Sequence, residues 1–367
     1  MLSQTLRGDT SAGMLTHRGG ALTIRSIPLL LQRRSLLAAI AVCGLFVYPV
    51  PAWGQVGGEL SRFVRWIDTL ALEETEDVIH VAPILALDGS RGFIIADPRE
   101  AQVRLYDRTG ALVHRFGRTG GGPGEYRAPM AAGRCSTNEI WVADITGRIT
   151  LYNPSADSVL RTIQTPIMPT YGAVLIDDSS LLVIGRVPGE DHLLHVLDLT
   201  RGEVARRFFP VPAGSAALGE IAHIAGFADV AVRADTIAAV FAFADTIALF
   251  NARGDRIETV PIRFQRFRTI PQDQPLPRSP GEFRKYRELF STVTSIDWLP
   301  DGSFLVQYTD IVEGDQVITL VHLDRRGRPL FELRDTPRLL AIADGKLFFI
   351  RPGAELPNQI AIGVMSR

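Results

Sequence analysis

Short apolar runs alternate with polar turns over most of the chain, and helical periodicity is scarce. In one recurring pattern an apolar strand ends in Asp or Asn, a short turn follows, and a second apolar strand begins. The turn residue of this pattern is Asp107, Asn153, Asp198, Asn251 and Asp324 in its five copies. Asp and Asn stabilise such a turn through hydrogen bonds from their side chains to the backbone, and Gly adopts the positive φ that the turn requires. Each copy therefore predicts a β-hairpin.

A second pattern, a polar turn followed by an apolar strand, lies between the copies of the first. Its six turns are at residues 88–89, 137–138, 177–178, 234–235, 301–302 and 344–345. Together the two hairpins give a repeating unit of four strands, which we call a, b, c and d. The turn residues of the first pattern are 46, 45, 53 and 73 residues apart, and propeller repeats have periods of roughly 40–50 residues.

The hairpin count, six of one kind and five of the other, leaves the last unit without a d strand. The chain ends in an apolar strand at 360–365, and a spare strand lies within Phe63–Leu72. If the spare strand serves as d of the last unit, the ring closes and only short, protected strand edges remain. We therefore predict an all-β, six-bladed β-propeller with four-stranded antiparallel blades, in which residues 62–72 pair with 359–366. A linear solenoid or a pair of sandwiches is the alternative.

Two segments carry a resemblance to a known group. Phe93–Gly117 resembles an NHL-type propeller repeat. Phe116–Tyr126 resembles the glycine-rich segment between blades of bacterial secreted six-bladed β-propeller proteins, and Ser279–Phe283 partly repeats it. The resemblance covers residues 62–367 and is most pronounced in blades one and two. It implies a structural repeat and carries no catalytic residues.

Residues 1–54 have the features of an export signal. Five arginines precede an apolar run over Leu36–Val47, and a stretch with small residues ends at Gly54. The run is too short for a membrane-spanning helix, which needs ~20 residues. We interpret it as a signal that is removed, rather than as a retained anchor. Arg33 and Arg34 leave both general and twin-arginine export open. We expect a periplasmic or secreted protein that is not an integral membrane protein after cleavage, with residues 55–367 forming the propeller.

Composition narrows the function classes. Removal of residues 1–54 takes away five arginines and one aspartate, so the net charge falls from -1 to -5 and we expect no nucleic-acid partner. Cys135 is then the only cysteine, and we expect its thiol to be buried and unpaired. The strings Gly-x-Ser-x-Gly, His-Glu-x-x-His and Gly-x4-Gly-Lys are absent. We therefore interpret the chain as a binding or interaction module for a small molecule or a protein, and we expect a monomer without a bound cofactor.

The longest spacing contains residues 263–289, which we call the insertion. It joins blade four to blade five and holds seven basic and three acidic residues, a net charge of +4, with aromatic residues between them. It lies on the face where the b–c and d–a loops open, which we call the top face. The insertion is either a lid that plugs the channel or a surface for a ligand or partner. For the second interpretation the candidate contacts are Tyr126, Arg127, Arg284, Lys285, Tyr286 and Arg287.

Two further groups are candidates for chemistry. The predicted b–c loops carry carboxylates, a ligand type that Ca²⁺ takes, although these groups can equally pair with the insertion. They are Asp97, Asp144, Glu190, Asp191, Asp245, Asp310, Glu313, Asp315 and Glu355. His80 and His223 lie near the starts of predicted inner strands, either as channel ligands for Zn²⁺ and acid–base groups or as structural histidines. The alternative function is therefore a metal-dependent hydrolase or lyase at the channel mouth. Calcium-dependent lactonases use a six-bladed propeller in this way, but no motif of theirs is matched here.

Overall fold

Six antiparallel sheets of four strands build the protein in the computed structural model. The structure describes residues 57–73, 84–88, 91–211, 228–270, 280–351 and 358–366. Inner strands of neighbouring sheets contact one another in the order β2, β6, β10, β14, β18 and β22, and the last of these contacts the first. The sheets are thus the blades of a closed six-bladed ring, which confirms the predicted fold class.

The elements follow the chain in regular order. Helix α1 (Gly57–Leu60) and strand β1 (Val64–Ala71) come first. Blade one contains β2 (Ile84–Leu87), β3 (Gly92–Asp97), β4 (Gln102–Asp107) and β5 (Leu112–Phe116). Blade two contains β6 (Pro129–Arg134), β7 (Ile140–Asp144), β8 (Arg148–Tyr152) and β9 (Val159–Gln164). Blade three contains β10 (Met168–Leu175), β11 (Ser180–Arg186), β12 (His192–Asp198) and β13 (Glu203–Pro210).

The second half of the ring repeats this arrangement. Blade four contains β14 (Ala228–Arg233), β15 (Thr236–Phe241), β16 (Thr246–Asn251) and β17 (Arg256–Pro261). Helix α2 (Pro280–Arg287) lies in the insertion. Blade five contains β18 (Thr292–Trp298), β19 (Phe304–Val312), β20 (Asp315–Leu323) and β21 (Pro329–Arg334). Blade six contains β22 (Leu339–Ala343), β23 (Lys346–Ile350), β24 (Gln359–Met365) and β1.

The ring is closed by β1, which is the outermost strand of blade six. It pairs antiparallel with β24, so that Val64 lies opposite Met365 and Ala71 lies opposite Gln359. Val64 and Leu70 are buried by this pairing. The predicted pairing of residues 62–72 with 359–366 is therefore confirmed.

Hydrophobic clusters fill the spaces between neighbouring blades. On β3, Ile94 packs toward blade two and Ile95 toward blade six, because successive strand residues point to opposite faces of a sheet. The whole of β3 is buried, whereas the outer strand β5 alternates between half-buried and exposed residues. Strand b of this blade therefore appears in the sequence as a nearly unbroken apolar run.

The hairpin turns have the predicted chemistry. The carboxylate of Asp107 accepts hydrogen bonds from the backbone N–H groups of Thr109 and Ala111. Gly110 follows with a φ of 85°, and a Cβ at this position would lie 2.2 Å from the carbonyl oxygen of Ala71. Only glycine fits here, so this turn fixes how blade one packs against the closing strand.

Cys135 lies in the core between blades two and three, buried and without a disulfide partner. Burial raises the pKa of the thiol to about 11, so little thiolate forms at neutral pH. The prediction of a buried, unpaired cysteine is confirmed.

Candidate functional site

The first part of the insertion is anchored to blade five by aromatic rings. Phe264 and Phe267 stack with their centroids 4.7 Å apart, and both pack edge-on against Tyr308. The hydroxyl of Tyr308 donates to Glu332 Oε1, and Glu332 Oε2 accepts the backbone N–H of Gln265. The insertion therefore leaves blade four in a fixed direction.

The second part of the insertion returns through helix α2. Tyr286 is buried and meets Phe290 edge-on at 5.3 Å between ring centroids, in the core between blades three and four. Two residues after Phe290, inner strand β18 begins. Helix α2 is therefore held at the top end of a channel-lining strand.

One carboxylate ties the two parts together. Asp310 is buried near the top of β19, and its Oδ1 accepts hydrogen bonds from Ser291 Oγ (2.6 Å) and Arg268 Nη2 (2.9 Å). Arg268 also donates Nη1 to the carbonyl of Glu288, and its backbone N–H donates to Ser291 Oγ. An acid near a b–c loop thus pairs with a cation of the insertion, as the charge pattern predicts.

Arg287 ends α2 above the first residue of β18. Its Nη1 donates to Thr292 Oγ1, and its guanidinium carbon lies 4.9 Å from the centroid of the Phe290 ring. Loss of hydration lowers the pKa of Arg287 to about 10; the charge of Arg268 adds to this effect and that of Asp310 opposes it. Within the described ranges, no carboxylate lies in ion-pair distance of this guanidinium.

The other predicted contacts fall into two groups. Lys285 is exposed on α2, and Arg284 belongs to the same helix but its side chain lies outside the described part. Arg127 is exposed, and its backbone N–H donates to Asp144 Oδ2. Arg127 follows Tyr126, which packs between blades one and two, whereas Tyr286 of α2 packs between blades three and four, so the two groups belong to different gaps of the ring.

Two of the predicted contacts are buried tyrosines. Tyr126 has no exposed surface, and its hydroxyl bonds to that of Tyr152 in the core between blades one and two. Tyr286 is the anchor of α2 described above. Both rings are buried, whereas their sequence neighbours Arg127 and Lys285 are exposed, and a ligand contact by either tyrosine stays a prediction. His80 and His223 lie outside the described residues.

Carboxylates at the top ends of the b strands hold backbone turns. Asp144 Oδ2 accepts the N–H groups of Arg127 and Ala128, and Asp97 Oδ1 accepts that of Arg99. Among the described residues, no three of His, Cys, Asp and Glu come together in a metal-ligating arrangement. None of the helices in the described ranges has both the length and the apolar character that a membrane span requires.

The channel wall holds two carboxylates that the sequence reading missed. Asp229 on inner strand β14 accepts the backbone N–H of Ile296, on inner strand β18, through Oδ2 at 2.8 Å. Asp297, the next residue on β18, is half-buried close by. Burial raises the pKa of Asp229 to about 6, and burial together with the charge of Asp229 raises the pKa of Asp297 well above its usual value. The signal available in the sequence was one aspartate within each of two otherwise mainly apolar inner strands.

Asp297→Asn is expected to raise the melting temperature at pH 8 and to leave it unchanged at pH 4. The folded pKa lies above the unfolded one, so the native state binds more protons, and its stability falls as pH rises from about 4 through the folded pKa values. Asparagine does not ionise, so the variant does not lose this stability as the pH rises. We expect a gain of at least ~2–4 °C, the shift that ~1 kcal/mol gives in a chain of this size. Asp235→Asn, at an exposed turn of blade four, is the control. An equal shift at both pH values would contradict the prediction.

Tyr286→Ala is expected to lower the free energy of unfolding by about 3–5 kcal/mol, as for other buried aromatic residues. Lys285→Ala changes the exposed neighbour and should have an effect within about 0.5 kcal/mol. Denaturant unfolding of both variants measures the difference. Equal losses would mean that α2 is not anchored through Tyr286.

Comparison with known proteins bears on the fold. A member of the DUF4221 family from Bacteroides vulgatus superposes with a TM-score of 0.60 at 12% identity, covering 83% of this chain and 97% of that one. A candidate exported protein from Bacteroides fragilis superposes with a TM-score of 0.58 at 13% identity, covering 84% and 96%. No family model and no curated protein matches the sequence. At these identities the likeness shows the fold alone, and the NHL-type repeat stays a prediction.

Proposed function

We propose that the chain is an exported binding module, which acts as a monomer and recognises an anionic small molecule or an acidic protein surface at the top face. The observation that carries this proposal is the anchored insertion. Its rings and its Arg268–Asp310 pair hold the two described ends of the insertion at the channel mouth, and the insertion carries a net charge of +4 in the sequence. A fixed cationic surface loses less entropy on binding than a mobile one.

Arg284, Lys285 and Arg287 form the primary contact in this proposal, and Arg127 is a secondary contact at another gap between blades. Tyr126 and Tyr286 support these cations from the core. Export rests on the signal features of residues 1–54 and has a parallel in the candidate exported protein of the same fold. The mature chain then carries a net charge of -5, which makes the cationic insertion a local exception.

Charge reversal of the helix tests the proposal. Arg284→Glu with Lys285→Glu should weaken binding to immobilised polygalacturonate and polyphosphate by at least about tenfold. Arg253→Glu with Arg326→Glu is the matched control, because both side chains are exposed on c–d turns of the opposite face and the net charge change is the same. Equal weakening by both pairs, or no binding by the unmodified protein, would refute the proposal.

A metal-dependent hydrolase or lyase is the second candidate, and the paired carboxylates Asp229 and Asp297 favour it. Carboxylates suit Ca²⁺, and the channel is where such a site belongs in a propeller. The test is the metal content of the purified protein, with the melting temperature before and after chelation. A melting temperature that responds to chelation in the unmodified protein but not in Asp229→Asn would support this candidate, and no bound metal would argue against it.

A further inference from the structure

The network under helix α2 contains more positive than negative charge. Arg268 and Arg287 both lie beside Asp310, but only Arg268 contacts it, at 2.9 Å. Asp310 also accepts the hydroxyl of Ser291, so its Oδ1 is already shared. Arg287 is therefore a poorly hydrated cation without a counter-ion among the described residues. Keeping such a group unpaired costs free energy, which an incoming anion would recover.

The position of Arg287 leaves it accessible to a ligand. The residue is half-buried, and it bonds to Thr292, the first residue of a strand that lines the channel. Part of its surface is therefore open to solvent beside the start of this inner strand. The Phe290 ring, 4.9 Å from the guanidinium carbon, limits the orientations of the guanidinium plane.

The neighbouring hydroxyl adds a second donor. Thr292 Oγ1 accepts a hydrogen bond from Arg287 Nη1, and a hydroxyl that accepts one hydrogen bond can donate another. A planar guanidinium with several N–H donors matches the two oxygens of a carboxylate or a phosphate. The pair thus offers donors of two kinds to one oxyanion.

We propose that Arg287 and Thr292 form an oxyanion subsite at the channel mouth, which takes one carboxylate or phosphate group of the ligand. The subsite rests on the proposed binding function and specifies the chemical group of the ligand that is recognised. Arg287 contacts the anion, Thr292 donates to it, and Phe290 positions the guanidinium. Lys285, which is exposed, contributes long-range attraction.

Titration calorimetry with inorganic phosphate and with acetate, at constant ionic strength, tests the subsite. Arg287→Gln should lower the affinity for whichever of the two anions binds better by at least about tenfold, since hydrogen bonds to charged groups contribute ~1.5–3 kcal/mol. The affinity of Arg287→Lys should lie between those of this variant and the unmodified protein, because lysine keeps the positive charge but lacks the paired N–H donors of the guanidinium. Arg266→Gln, an exposed cation of the same insertion, should bind as the unmodified protein does.

The outcomes separate the subsite from the function that it serves. Unchanged affinity in Arg287→Gln, together with weakening by charge reversal at Arg284 and Lys285, would overturn the subsite and leave the binding proposal standing. Absence of phosphate and acetate binding by the unmodified protein would overturn the subsite, whatever the acidic polymers show. If Arg287→Gln fails to fold, Arg287→Lys becomes the test. An affinity of Arg287→Lys for the anion equal to that of the unmodified protein would then overturn the subsite.

Discussion

Deletion of residues 1–71, which removes strand β1, is expected to abolish the cooperative unfolding transition and to yield aggregated protein. The deletion removes the buried side chains of Leu60, Val64 and Leu70 from the cores of blade six. Burial of such side chains contributes ~1.5–3 kcal/mol each, and a domain has only ~5–15 kcal/mol of net stability. The edge of β24 would also be left unpaired and open to other chains.

A chain that begins at residue 55 is the control, because it lacks the predicted signal but keeps β1. It should unfold in one transition and elute as a monomer in size-exclusion chromatography. Thermal unfolding followed by circular dichroism compares the two truncations. A cooperative, monomeric product of the longer deletion would mean that the ring does not depend on its closing strand.

Arg104→Ala is expected to lower the free energy of unfolding by about 3–5 kcal/mol, the cost of removing one partner from a buried ion pair. Arg104 has no exposed surface, and its Nη1 lies 3.0 Å from Asp97 Oδ2. After the change, Asp97 keeps the N–H groups of Arg99 and Glu100 but loses its counter-charge. The strand also loses a large side chain between blades six and one, which leaves a cavity.

Two further variants separate the charge effect from the cavity. Asp97→Asn combined with Arg104→Met removes both charges and fills most of the volume, so it should cost less than Arg104→Ala. Arg108→Ala changes an exposed arginine of the next turn and should have an effect within about 0.5 kcal/mol. Denaturant unfolding gives the three values. A loss in Arg104→Ala no larger than in Arg108→Ala would contradict the structural role of the pair.

The sequence determined the blades and their closure. A strand hairpin is a local structure, so Asp107, Gly110 and the apolar runs around them mark its turn and its strands without reference to the rest of the chain. Closure followed from the count of hairpins. The count left one spare strand at 63–72 and one blade, ending in the strand at 360–365, that lacked its outermost strand. The burial of Cys135 followed from its place next to an inner apolar strand.

The tertiary structure decided which side chains meet. Asp229 and Ile296 are 67 residues apart, and the stagger of two inner strands brings them together, which no local pattern encodes. Tyr126 and Arg127 are adjacent in the sequence, yet the first is buried against Tyr152 and the second is exposed. Which of two neighbours faces the core depends on how a loop crosses the gap between blades. The cationic insertion was evident from composition. That Arg287 has no counter-ion among the described residues depends on the packing geometry, in which Arg268 and not Arg287 reaches Asp310.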